Sequence, residues 1–141
     1  MALKATRAEV WAINVDDRAG GVADKLDALA KAGADFEMVF ARRTPETPGR
    51  GVLFVTPLKG AKALRAAEAL GMGKPQSIHS VRVEGGDQPG LGAMIARALG
   101  DAGISFRGLS AIAIGRKFIS YLALDSAADA DNAVRTLRKL S

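Results

Sequence analysis

The chain has no cysteine, one histidine and seven aromatic residues, 5% of its 141 positions. Without cysteine there is no disulfide framework, no thiolate nucleophile and no cysteine-ligated zinc or iron–sulfur site. The longest apolar runs are a few residues, against the roughly 20 that span a bilayer, and the start Met1-Ala-Leu-Lys-Ala-Thr-Arg7 has no apolar signal region. These absences lead us to expect a cytoplasmic protein that contacts no membrane. His79, the lone histidine, has no Ser–His–Asp or Cys–His constellation around it in sequence, and Asp16-Asp17 and Asp129-x-Asp131 sit where turn and helix capping account for them. Gly71-Met-Gly-Lys-Pro75 lacks the upstream glycine and following hydroxyl of a phosphate loop. No catalytic residue, metal site or cofactor is expected, and an independent enzyme is the reading the residues support least.

What is present is an ordinary globular composition, 48% hydrophobic and 25% charged, with a net charge of +5. The basic excess is spread evenly: residues 1–70 hold 11 basic and 9 acidic side chains, and residues 71–141 hold 9 and 6. Arg42-Arg43 with Arg50, and Arg116-Lys117, are the only local clusters, and both fall at turns where solvated charge is the default. Nucleic acid is therefore not the expected partner.

The chain repeats itself. Shifted by 70 residues it aligns Asp17 with Asp87, Gly20 with Gly90, Ala23 with Ala93, Ala28 with Ala98, Leu29 with Leu99, Ala32 with Ala102, Gly33 with Gly103 and Phe36 with Phe106, 8 identities in 20 positions. Each copy has the same hydrophobic rhythm. Alternating Trp11, Ile13 and Val15, and Val81 and Val83, predict strands over 9–15 and 80–84. Helical spacing follows, in Val22, Leu26, Leu29 and Ala30 and in Leu91, Met94, Ile95, Ala98 and Leu99, with Gly33 and Gly103 as left-handed caps. Strands are expected at 35–41, 51–56, 105–114 and 118–124, and closing helices at 61–70 and 130–140. Strand, helix, strand, strand, helix, twice, is an α+β order with antiparallel sheets and helices on one face, the ferredoxin-like arrangement. We expect two repeats, 1–75 and 76–141, joined by the short tether 71–75 into one two-lobed body.

The most informative stretch is Gly86-Asp87-Gln88-Pro89-Gly90-Leu91. Asp87 is placed to cap the following helix, Pro89 presets the turn, and Gly90 lets the backbone approach a neighbour or a ligand. Free N–H groups at a helix start suit a carboxylate, and an adjacent Asp suits an ammonium group, so a free α-amino acid finds both partners at one turn. A turn that merely caps and turns explains the same spacing.

Two copies of a strand, a turn of the form Asp-x-Pro-Gly-Leu and an apolar helix ending Leu99-Gly-Asp-Ala-Gly103-Ile104 resemble tandem ACT domains, over residues 8–70 and 78–140. The first copy keeps Asp17, Gly20 and Leu29-Ala-Lys-Ala-Gly33 but has Ala19 where the pattern has proline. The resemblance implies a small regulatory module binding an amino acid where the first turn of one domain meets the second strand of its neighbour. Carried over by position, the candidate ligand residues are Asp87, Gln88, Pro89, Gly90 and Leu91, with Asp17, Arg18, Gly20 and Gly21 as a second site, extended to strand residues Met38, Val39, Phe40, Leu109, Ser110 and Ala111. A separate regulated enzyme is expected as partner, and a homo-oligomer, a dimer, is expected because the ends of a joined sheet remain pairable edges. The family's fourth strand has no separate segment here, so one strand over 76–84 is expected to serve both copies. RNA binding is the main rival, because Arg50-Gly-Val-Leu-Phe-Val-Thr-Pro57 echoes the octamer of RNA-recognition motifs, though Val52 and Pro57 stand where stacking aromatics belong and Phe54 is expected in the core. A regulatory subunit that docks on an enzyme without its own ligand is the other.

Overall fold

The computed structural model describes residues 2–140. In chain order the elements are β1 (Lys4–Ala8), β2 (Trp11–Asp16), α1 (Gly21–Lys31), β3 (Met38–Arg43), β4 (Arg50–Thr56), α2 (Ala61–Leu70), β5 (His79–Gly86), α3 (Leu91–Asp101), β6 (Gly108–Ile114), β7 (Lys117–Leu124) and α4 (Ala127–Arg138). They form two compact units, a continuous one over Glu9–Pro75 and a discontinuous one combining Met1–Ala8 with Gln76–Ser141.

The continuous unit is a three-stranded antiparallel sheet in the order β2-β4-β3 with α1 and α2 packed against it. Alternation decides the faces: Gly51, Leu53 and Val55 of β4 are buried, and Val52 and Phe54 between them are only partly so. Val15, Leu29, Leu53, Val55, Ala67 and Met72 make the core. α1 closes in a Schellman motif, with Gly33 at φ +86°, its N–H bonded to Ala30 and that of Ala34 to Leu29 at 3.1 Å. At the outer edge of β2 only Gly73 pairs, exchanging bonds with Ala12 at 2.8 and 3.1 Å.

The discontinuous unit repeats this plan with one more strand, in the order β1-β5-β7-β6. α3 buries Leu91, Ile95 and Leu99, and α4 buries Ala130, Ala133, Val134 and Leu137. Val81, Val83, Phe118, Leu122 and Leu124 meet them from the sheet. The strand β1 was not expected from sequence. It pairs with β5 from Lys4 opposite Glu84 to Ala8 opposite Ser80, and it drives Ala5 into this core beside Leu3. Arg138 donates to the Ala5 carbonyl at 3.0 Å, and Arg7 pairs with Asp131 at 2.8 Å. Residues 2–8 thus pack with the second copy, although the sequence reading places residues 1–75 in the first. β5 likewise serves one sheet and not both: its two edges are filled by β1 and β7.

Two further expectations are corrected. Phe54 lies on the sheet face opposite the helices, stacked on Phe40 with ring centroids 6.2 Å apart, because it alternates with the buried Leu53 and Val55. At α4 the cap is Ser126, whose hydroxyl accepts from the Asp129 N–H at 3.0 Å, so Asp129 receives a cap rather than supplying one, and Asp131 is committed to Arg7.

With a smaller core and no fourth strand, the continuous unit should open first. In native-state hydrogen exchange we expect the amides of β4 to be protected at least about tenfold less than those of β7, since opening free energy follows the apolar surface a region buries. Equal protection would show one cooperative unit.

Candidate functional site

Both copies carry the same turn between first strand and first helix. Asp17 N–H donates to Gly49 O at 3.0 Å, and its counterpart Asp87 N–H donates to Arg116 O at 2.8 Å, which ties each turn to the hairpin beside it. Gly20 and Gly90 are the helix N-caps, at φ +85° and +84°. That left-handed backbone is why glycine stands there. Nothing lies within 4 Å of a Cβ built on Gly90, so the close approach expected at that position is not what requires glycine. Asp87 does not cap α3 either: the helix has no side-chain cap, because Gly90 intervenes. Ala substitution therefore separates the two termini. Ser126→Ala should cost about 1 kcal/mol in denaturant unfolding, as lost caps do, while Asp87→Ala should leave stability within about 0.5 kcal/mol of the parent.

The second turn is closed on itself. Gln88 donates to Met94 Sδ at 3.5 Å, Leu91 N–H bonds to Gln88 O at 3.3 Å, and the Leu91 side chain is 1% exposed in the core. Pro89 lies between them in the bend. At the first turn the residue aligned with Leu91 is Gly21, which has no side chain to fill this space, and a cavity of about 350 Å³ opens there. The end of β2 (Ile13 to Asp16), the start of α1 (Gly21, Asp24, Lys25), Arg18, Arg50 and the end of α2 (Leu70, Gly71) line it. Gly21 is buried and a Cβ on it would stand 2.3 Å from the Asp16 carbonyl oxygen.

Charges of both signs surround this cavity. Arg50 meets Asp16 at 2.6 Å and Arg18 meets Asp24 at 2.8 Å, while Asp17 takes Arg43 from the end of β3 at 2.8 Å. The hydrogen bond that Arg18 donates to Asp24, and then the charge of Asp24, hold Arg18 above the ordinary guanidinium range, so it stays cationic. Lys25 is half-buried and has no ion pair among the described residues. At the start of α1, Gly21 N–H bonds to Arg18 O and Asp24 N–H to Gly20 O, and the Val22 and Ala23 N–H groups have no backbone partner among the described residues, as at an ordinary helix start. The arrangement suits a small zwitterion.

The remaining candidates lie on sheet edges. Met38, Val39 and Phe40 begin β3, and Leu109, Ser110 and Ala111 lie in β6, the outermost strand of each sheet. Val39, Phe40 and Leu109 are exposed. Within its own unit, the start of β3 lies opposite Thr56, at the far end of the sheet from the Asp17–Gly21 turn, so no unit's own fold joins these strand residues to its turn. Sequence reasoning missed Asn14, Asp24, Lys25, Arg50, Leu70 and Gly71. Lys25 had no distinguishing signal, being one polar position on a helix, and Arg50 reaches Asp16 only through the pairing of β2 with β4. Among the described residues no group of three or more His, Asp or Glu side chains gathers as a metal site, and no helix is long and apolar enough to cross a membrane.

No family model matches the sequence, and no curated protein matches it. Solved structures do. Protein BT0572 from Bacteroides thetaiotaomicron is similar at 15% identity and TM-score 0.77, covering 97% of this chain and 99% of that one. The ligand-free regulatory subunit of aspartate kinase from Thermus thermophilus is similar at 18% identity and TM-score 0.62, over 97% of this chain and 95% of that one. Aspartokinase III of E. coli, in complex with aspartate and ADP, matches 96% of this chain with 32% of its own length, at 15% identity and TM-score 0.60. These likenesses establish the fold, an α+β tandem of ferredoxin-like, ACT-like repeats.

Proposed function

We propose that this tandem ACT-like chain is a regulatory protein without catalytic activity of its own, which binds a free amino acid and passes the signal to a separate enzyme. The carrying observation is the cavity at the first turn, where Asp16 and Asp24 on one side of the charge balance and Arg18, Lys25 and Arg50 on the other line a space of amino-acid size. The likeness to a subunit described as regulatory, over nearly the whole of both chains, supports the role. A stand-alone sensor needs something to act on, and an enzyme of amino-acid metabolism is the partner we favour, in the cytoplasm. The closed turn at Asp87, Gln88, Pro89, Gly90 and Leu91 becomes the second site in this reading, reached only if its Gln88–Met94 contact opens.

The edge strands β3 and β6 supply the dimer. Their exposed Val39, Phe40, Leu109, Ile112 and Ile114 lie beside unpaired backbone, which pairs readily with another chain. A second copy would bring the strand residues Met38 to Phe40 or Leu109 to Ala111 to a turn they do not reach within their own unit. Ligand that bridges copies then shifts the assembly toward one arrangement.

The test is a thermal-shift screen against the twenty amino acids with light scattering in parallel. A ligand that binds the folded state alone raises the melting temperature by mass action. Stabilisation by one chemical group of amino acids, and not by the others, supports the reading. No response to any of them, with the protein monomeric at high concentration, would sink it.

A further inference from the structure

The outer edge of β2 is one residue short of being filled. Ala12 spends both its N–H and its C=O there on Gly73. Successive residues of an antiparallel strand direct their amide groups to alternate sides, so Asn14 presents its N–H and C=O to that same edge. No strand meets it, because the chain that would do so is the end of α2 at Leu70 and Gly71. At Asp16 the carbonyl is already bonded to Arg18 N–H at 2.9 Å. The other unit shows what belongs there: Glu84, aligned with Asn14, pairs with Lys4 of β1.

The cavity lies against this gap, with Asn14, Leu70 and Gly71 in its wall. A gap bounded by Gly73 on one side and by the Arg18 bond on the other has no room for a strand of several residues. It takes the backbone of one. Arg18 and Arg50 are already engaged by Asp24 and Asp16, which leaves Lys25, half-buried in the same wall, as the cation without a counter-charge among the described residues.

We infer that the open edge of β2 binds a single acidic amino acid as a one-residue strand, its ammonium donating to Asn14 C=O, its α-carboxylate accepting from Asn14 N–H, and its side-chain carboxylate pairing with Lys25. This rests on the amino-acid-sensing reading above and names the ligand class and the groups that hold it. The ligand thereby completes the sheet edge that β1 completes in the other unit.

Calorimetric titration of the full chain with aspartate, glutamate, asparagine, glutamine and N-acetyl-aspartate tests it. The acidic pair should bind about tenfold or more tightly than their amides, as a charge-assisted hydrogen bond in a half-buried site allows. Lys25→Met should abolish that preference with the melting temperature unchanged. N-acetyl-aspartate, which lacks the ammonium, should not compete. Asn14→Pro removes the edge N–H at a non-hydrogen-bonded position of the β2–β4 pair, opposite Val52, and should lose binding; should it fail to fold, the acetylated ligand still decides. A neutral amino acid bound as tightly as aspartate, or binding indifferent to Lys25→Met, overturns this assignment while the sensing reading stands. Silence from every amino acid overturns both.

Discussion

Removing residues 1–8 should unfold the second half of the chain and leave the first half standing. The deletion takes out β1, leaving the edge of β5 unpaired from Ser80 to Glu84. It also removes Leu3 and Ala5 from the core and frees Arg138 and Asp131 of their partners. Truncating one buried leucine to alanine alone costs about 2–5 kcal/mol, and a domain has about 5–15 kcal/mol in all, so losing a leucine, a buried alanine and a ladder together should exhaust most of it. The chain carries its own reporters. Trp11, the only tryptophan, lies on β2, and Tyr121, the only tyrosine, lies on β7. In the truncated protein the tyrosine signal should report an unfolded or early-melting unit while Trp11 keeps its native emission, and a peptide of residues 1–8 added in trans should restore the lost transition. A truncated protein that melts like the parent by both probes would show that β1 contributes nothing the sheet needs.

Gly21→Ala should be the most damaging single methyl in the molecule. Its Cβ would stand 2.3 Å from the Asp16 carbonyl oxygen, a backbone atom with no rotamer through which to escape. Strain of that kind, in a turn that also sets the Asp16–Arg50 and Arg18–Asp24 pairs, should cost about 2–4 kcal/mol and be read by Trp11 in denaturant unfolding. Gly92→Ala is the matched control. It sits inside α3 with nothing within 4 Å of its Cβ, and should be neutral or stabilising by up to about 1 kcal/mol. Equal effects from the two would mean the turn relaxes freely. Because Gly21 also lines the cavity, ligand affinity should fall together with stability in Gly21→Ala and with neither in Gly92→Ala.

Much of the fold follows from local chemistry. The 70-residue repeat and the two hydrophobic periods place ten of the eleven elements close to where they lie, α2 at both ends, and Gly33 and Gly103 take the left-handed conformation that ends their helices. The turns were legible as sites of interest because Asp-x-x-Gly recurs at the same offset in both copies. The missed strand is β1. Lys4-Ala-Thr-Arg-Ala8 is short and only Ala5 among its residues is fully buried, so nothing within those five residues announces a strand; it becomes one because an edge some 75 residues away lacks a neighbour.

The sequence alone determined the class of fold, the duplication and the position of both turns, since each rests on interactions between residues a few positions apart. Tertiary structure decided which copy owns the N-terminal strand, that Phe54 faces away from the helices, that Asp87 caps nothing, and that the open space lies at Gly21 rather than behind Gly90. All four depend on what a distant segment places opposite a residue. The two turns look alike in one dimension and differ in three, because one is followed by a leucine that fills the space beside it and the other by a glycine that cannot.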